Sequence, residues 1–351
     1  MKIIFSKDLS PGMVAGKDVI RGEGILKLLA QGIQLTQSQI RRIRNWGVPF
    51  LCIEDEKEKW KKNSAGVTLT EAEFLTVYQE TIQDIANAFR HIKKFQEVPI
   101  SEMQELADQR VSLLIDTVGV LDYLHKERCH SNSTFQHSLN VAVVAGVLGK
   151  WCGYRRIDLK NIILAGLLHD IGKVAVPLAI LDKPSRLSPA EFDVIKRHPR
   201  TGYQLVKKSS QIPTEVKLTI LQHHERTDGS GYPCGLAAHE IRTDSKIIAI
   251  ADIYDAMTSD RAYRRKVTPF EALDVIADQI FQGLEPNFGL VFLENMREYL
   301  VGSEVALSNG QKAMIIAFND GNKYFTQPVV CIQNGSLVNL QTAGLRIVGV
   351  D

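Results

Sequence analysis

NIILAGLLHDIGK, residues 161–173, is the stretch on which the reading of this chain turns. Ile162 to Leu168 form an apolar helical run dense enough to be buried, and it leads straight into His169-Asp170. A neighbouring imidazole and carboxylate are costly inside an apolar core unless something satisfies them. A metal ion would resolve that cost. Because a carboxylate has two oxygens, Asp170 could bridge two ions about 3.5–4 Å apart, with solvent between them as a nucleophile.

Further groups of the same chemistry flank this stretch in order. His137 lies in TFQHSLNVAVVAGVLGK with apolar Val141 and Val144 on its helix face. Taken alone, such a histidine is more often a hydrogen-bonded core residue, and His198, followed by Pro199 near a helix start, could be a cap or a surface residue. His223-His224 close an apolar run that begins near Pro213, which suits them, since adjacent positions about 100° apart cannot serve one ion from a regular helical face. The glycine-rich TDGSGYP that follows makes a tight loop able to bring backbone amides near a ligand. Asp252 sits in IIAIADIYDAMTSDRAYRR, sharing a helical face with Asp255 ahead of the phosphate-binding donors Arg261, Arg264 and Arg265. Imidazole and carboxylate together suit Mn, Fe, Co, Ni and Zn, so His137, His169, Asp170, His198, His223, His224 and Asp252 can hold two ions and leave room for water and substrate. That pattern is a hydrolase's.

The rest of the chain narrows the setting. With 351 residues, 23% charged and 44% hydrophobic, it can build a sizeable core. A net charge of +2 excludes a global field for duplex nucleic acid or an anionic membrane, so an anionic ligand must be caught locally. MKIIFSKDLSPGMVAGKD does not read as a secretory signal, and no run of about 18 apolar residues suggests a membrane span, so a cytoplasmic address is expected. Cys52, Cys129, Cys152, Cys234 and Cys331 are scattered without a CxxC pair, which argues against a disulfide frame or a thiolate zinc site.

Three segments are expected. Residues 1–62 read as a small α/β unit, with Thr36 capping a helix through Arg41-Arg42-Ile43 that Gly47 ends before a strand from Val48 to Ile53; a charged stretch then acts as a linker. Residues 68–300 are almost wholly helical, with a core at about 100–300. Thr70 with Glu73, Ser188 with Glu191 and Thr268 with Glu271 repeat a capping-box start, two of them with proline at the first helical position. Residues 301–351 read as a small β appendage, in which Asn309-Gly310, Asp320-Gly321 and Asn334-Gly335 punctuate strand-like runs such as Ala313–Phe318 and Pro328–Ile332. The fold class is mainly α.

LLHDIGK, His198 with its proline and a following Gly-Tyr, HHERTDGSGYP and IADIYDAMTSDRAYRR together resemble the HD-GYP family of HD metal-dependent phosphohydrolases over roughly residues 100–300. The resemblance implies a metal-dependent phosphodiesterase that hydrolyses cyclic di-GMP to pGpG and onward to GMP, lowering a bacterial second messenger. It implies the same seven ligands, with two divalent ions, iron or manganese. Lys173 matches a lysine thought to contact the scissile phosphate and protonate the leaving oxygen, giving it and Asp170 the catalytic roles. Tyr232, Asp255, Arg261 and Arg264 match positions that hold guanine or phosphate. Glu225 is a candidate for orienting a ligand histidine. Some relatives hold a third ion through a glutamate where this chain has Ser133, so two ions are expected; relatives often have proline at Ala262 and a basic residue at Asn140. Other readings are an HD-type hydrolase of another cyclic or linear nucleotide, or a non-catalytic receptor for the dinucleotide. A homodimer or a regulatory protein partner stays open.

Overall fold

The computed structural model describes residues 2–15, 19–21, 26–30, 32–45, 48, 50–53, 69–117, 119–127, 134–259, 267–280, 282–318 and 324–350. Its helix starts follow the capping chemistry of the sequence. At Ser188 and at Thr268 the hydroxyl accepts the amide of Glu191 or Glu271, whose carboxylate in turn accepts the cap's own amide. Thr70 and Glu73 exchange the same pair of bonds ahead of a long helix, α1 (Glu71–Phe95).

The chain divides into two compact units. The first gathers residues 1–74, 116–123 and 297–351, so the two end segments, read separately from the sequence, share one unit. Strands Lys2–Phe5 and Phe50–Ile53 pair antiparallel, as do Val19–Arg21 and Leu26–Leu29. Helix Gln37–Asn45 starts at Thr36, whose hydroxyl accepts the Gln39 amide at 3.1 Å, and it buries Ile40 and Ile43 against Leu9, Ala15, Leu35 and Leu51. The expected stop at Gly47 lies outside the described residues. Arg42 of this helix donates to the Val301 carbonyl at 2.8 Å and to Ser303 Oγ at 3.1 Å, fastening the N-terminal segment to the C-terminal one. The C-terminal segment is a five-stranded antiparallel sheet in the order Leu337–Asn339, Val329–Ile332, Lys312–Ala317, Glu304–Leu307, Ile347–Val350. Asn309-Gly310 and Asn334-Gly335 form hairpin turns with the glycine at positive φ, as such dipeptides favour; Asp320-Gly321 lies outside the described residues.

The second unit, residues 75–115 and 124–296, is helical. After α1 its site-bearing helices are α2 (Thr134–Trp151), α3 (Arg156–Leu168), α4 (His198–Val206), α5 (Thr214–Gln222) and α6 (Thr243–Thr258). α2 and α6 are apolar around most of their circumference, as central helices are. α3 packs directly on α2. A Cβ built on Gly166 would stand 2.6 Å from the Ala142 Cα, so only glycine lets the two backbones approach this closely. Among the described residues no helix is long and apolar enough to cross a membrane. The architecture is mainly α, with the small sheet at the C-terminal end.

Candidate metal centre

Helix ends deliver most of the polar side chains. His169 follows the last residue of α3, His198 follows the end of the short helix Pro189–Ile195, and His223 follows the last residue of α5. Carbonyls in a helix's final turn have no amide partner within the helix. All three histidines use one: Nδ1 donates to Gly166 O at 2.7 Å, to Ile195 O at 2.7 Å and to Ile220 O at 2.8 Å, respectively. A carbonyl can only accept, so each Nδ1 carries hydrogen and each ring turns its Nε2 inward.

Those inward atoms crowd together. His198 Nε2 stands 3.1 Å from His223 Nε2, and His169 Nε2 stands 3.3 Å from His137 Nε2. Asp170 lies between the two pairs: Oδ2 is 3.4 Å from His169 Nε2 and 3.5 Å from His137 Nε2, while Oδ1 is 3.1 Å from His198 Nε2. Oδ1 is buried and, despite that approach, makes no hydrogen bond. Asp252 spans the same gap from α6, with Oδ1 3.2 Å from His137 Nε2 and Oδ2 3.6 Å from His224 Nδ1. Two groups are thus arranged to hold a metal ion, His137 with His169 and Asp170, and His198 with His223 and His224. Facing lone pairs and an unsatisfied buried carboxylate oxygen are what cations satisfy, so the donor set fits divalent metal.

The packing that closes the cluster is tight. A Cβ on Gly172 would fall 2.0 Å from the His198 carbonyl oxygen, so the turn Ile171–Ala175 can lie on the start of α4 only with glycine there. This contact brings Asp170 to His198.

Electrostatics distinguish the members. Burial disfavours a charged His224, lowering it to about 3 against the pull of Asp252, and burial together with the neighbouring histidines holds His223 well below its usual range. Burial acts the same way on His137, but hydrogen bonds and charge from Asp252 and Asp255 outweigh it and raise the ring to about 9. Burial opposes ionisation of Asp170 and Asp252, yet Lys173 and His169 around the first, and His137 and His224 around the second, keep both well below the ordinary carboxylate value.

Lys173 forms an ion pair with Asp170 and lines a cavity of about 740 Å³ that also exposes His137, His198, His224 and Asp252. Tyr232 borders the same cavity with its ring stacked on His224 at 4.6 Å, and burial raises its hydroxyl. Asp255, read as a substrate contact, borders the cavity too, but both its oxygens are engaged: Oδ2 accepts from His137 Nδ1 at 2.7 Å and Oδ1 from Asn140 Nδ2 at 2.8 Å. Glu225 does not reach a histidine. It is buried and accepts the amides of Cys234 at 2.7 Å and Leu236 at 3.0 Å, which ties down the loop carrying Tyr232. Arg261, Arg264, Ala262 and Ser133 lie outside the described residues.

The sequence reading missed the cavity's far wall. Phe89, Arg90 and Lys93 of α1 line it, as do Lys183 and Phe192. The α1 residues belong to an amphipathic stripe that looks, in one dimension, like ordinary core packing with a charged outer face.

Residues 123–282 match the model of the family described as HD domain. The chain is 32% identical over 233 residues to cyclic di-GMP phosphodiesterase PA4108 of Pseudomonas aeruginosa, an alignment covering 66% of this chain and 56% of that protein. It is 43% identical over 131 residues to the cyclic di-GMP phosphodiesterase response regulator RpfG of Xanthomonas campestris, covering 37% and 35%. It is 38% identical over 205 residues to 3'3'-cGAMP-specific phosphodiesterase 1 of Vibrio cholerae, covering 57% and 45%. The chain therefore spans about half the length, or less, of these curated relatives. Among solved structures it is similar to Bd1817, a HDG"Y"P protein from Bdellovibrio bacteriovorus, with a TM-score of 0.52 at 16% identity, covering 84% of this chain and 98% of that one, a likeness of fold. The helical frame, the family match and the relatives agree that residues 123–282 of this chain form an HD domain, with a fold like that of the HDG"Y"P protein.

Proposed function

We propose that this protein is a two-metal phosphodiesterase that hydrolyses cyclic di-GMP to pGpG, with GMP as a further product, and that its ions are iron or manganese. One observation carries the reading: Asp170 turns Oδ2 toward the His137–His169 pair and Oδ1 toward His198, the posture of a carboxylate shared between two cations. Divalent ions held there would supply Lewis acidity and an activated water. The names of the relatives from Pseudomonas and Xanthomonas support the substrate.

The chain's own groups divide the remaining work. His137, His169, Asp170, His198, His223, His224 and Asp252 hold the ions. Their carboxylates stay ionised and His223 and His224 stay neutral near pH 7, which leaves them ready to bind metal. Lys173, beside Asp170 on the cavity wall, stabilises charge on the scissile phosphate and delivers a proton to the departing 3′-oxygen. Tyr232 forms a wall for the nucleotide, and Arg261 and Arg264 are assigned to its phosphates on their sequence alone. Asp255 we assign to orienting His137, not to substrate.

A second substrate has a specific observation behind it, the likeness to a protein named for 3'3'-cGAMP. The test is product chromatography with purified, anaerobically Fe(II)- or Mn(II)-loaded protein offered cyclic di-GMP, 3'3'-cGAMP and pGpG separately. A kcat/KM at least about tenfold higher for cyclic di-GMP, which corresponds to about 1.4 kcal/mol of discrimination, supports the proposal. Preference for 3'3'-cGAMP would move the assignment to that substrate, and binding without turnover under any metal would make the protein a receptor.

A further inference from the structure

The hydrogen-bonded path that ends on His137 begins outside the family-matched region. Asp255, which accepts the His137 Nδ1 proton, receives Asn140 Nδ2 on its other oxygen at 2.8 Å. Asn140 Oδ1 accepts the Tyr78 hydroxyl at 2.6 Å, and the Tyr78 oxygen accepts Gln136 Nε2 at 3.2 Å. Tyr78, Gln136, Asn140 and Asp255 are all buried. Tyr78 belongs to α1, well ahead of residue 123 where the HD domain match begins.

The donor directions in this chain admit one assignment. A carboxylate can only accept, so Asn140 must present its NH2 to Asp255 and its carbonyl to Tyr78; the tyrosine must then donate, and its oxygen is open to Gln136. The hydroxyl of Tyr78 thereby locks an amide that could otherwise turn over and set oxygen against oxygen at Asp255. Asn140 and Ser259, both neutral, donate to Asp255 Oδ1 at 2.8 and 3.2 Å, while Oδ2 faces the imidazole. A strongly accepting partner on Nδ1 makes the opposite nitrogen a better metal ligand.

We propose that Tyr78 and Asn140 are positioning residues for the metal group that contains His137, acting through Asp255, so that α1 is a working part of the metal centre. The inference rests on the metal-binding reading above. Its test is Mn(II) titration of the whole 351-residue chain, followed by calorimetry and by the electron paramagnetic resonance of free Mn(II), with His137→Ala identifying which binding step belongs to that group. Tyr78→Phe keeps the buried ring and removes only the hydroxyl; it should weaken the His137 step about threefold to tenfold. Asn140→Leu removes the amide donor to Asp255 Oδ1, leaving Ser259 there, and should weaken it about 10-fold or more, within the range for partners that orient metal ligands. The other step should stay within about twofold of wild type, and excess Mn(II) should restore kcat with KM for the nucleotide unchanged. Two wild-type-like steps in both variants, or equal loss of both steps, would overturn the proposal while leaving the metal reading intact. A wild-type protein that takes up no Mn(II) would overturn both. Should Asn140→Leu fail to fold, Tyr78→Phe alone decides.

Discussion

His198 Nε2 and His223 Nε2 face each other at 3.1 Å, and each ring's Nδ1 is already committed to a helix-end carbonyl. A cation held between the two Nε2 atoms would satisfy both rings at once. Metal should therefore stabilise the fold as well as support chemistry. Binding at 100 times Kd contributes about 2.7 kcal/mol, so saturating Mn(II) should raise Tm by about 5–10 °C, and chelation should reverse it. Scanning calorimetry with and without chelator checks this; an unchanged Tm contradicts it.

The His137 ring gives a pH signature. Its value is raised from 6.5 to about 9, the carboxylates of Asp252 and Asp255 outweighing burial, so before metal binds it is protonated at neutral pH. A raised histidine stabilises the metal-free fold fully below about 6.5, and that contribution is lost as pH rises through about 9. The same proton must leave for Nε2 to bind metal. Apparent Mn(II) affinity should thus climb by roughly tenfold per pH unit from about pH 7 toward about pH 9. A flat affinity profile across that range would refute the assignment.

Gly172 has no room for a side chain against the His198 carbonyl oxygen. Gly172→Ala should force the turn Ile171–Ala175 away from α4, costing about 1–3 kcal/mol as overpacking does and separating Asp170 from His198. The expected result is a Tm lower by several degrees together with weaker metal uptake. Retention of both would show that the contact is dispensable.

Glu225 should govern substrate, not metal. Glu225→Ala leaves the Cys234 and Leu236 amides without their acceptor and frees the loop that presents Tyr232. Hydrogen bonds to a charged group are worth about 1.5–3 kcal/mol each, so kcat/KM for cyclic di-GMP should fall about tenfold or more, chiefly through KM, with bound metal per chain unchanged. Loss of metal in this variant would assign Glu225 a different role.

The sequence made some of this legible because helix ends and capping boxes are local. The Thr70, Ser188 and Thr268 caps and the Asn-Gly hairpins are fixed by a few neighbouring residues and lie where composition puts them. The order of His137, His169-Asp170, His198, His223-His224 and Asp252 pointed to convergence, since polar groups so embedded in apolar runs need a partner. Which partner was beyond its reach. Asp255 shares a helical face with Asp252, and spacing alone could not tell a group that faces substrate from one that turns to His137 and Asn140; the packing of α6 on α2 decides that. Glu225 follows two histidines directly, yet the loop after it folds back and claims its carboxylate. Arg42 reaching Val301 and Ser303 joins segments at opposite ends of the chain, and no local pattern announces such a contact.

The central claim is that Asp170 is shared between two metal ions. Anaerobic reconstitution with Fe(II) or Mn(II), followed by elemental analysis and cyclic di-GMP turnover on the same sample, tests it in wild type and Asp170→Ala. The account predicts two ions per wild-type chain and, in the variant, loss of at least one ion with kcat reduced by about a thousandfold or more. An Asp170→Ala protein that keeps two ions and turns over like wild type would contradict it.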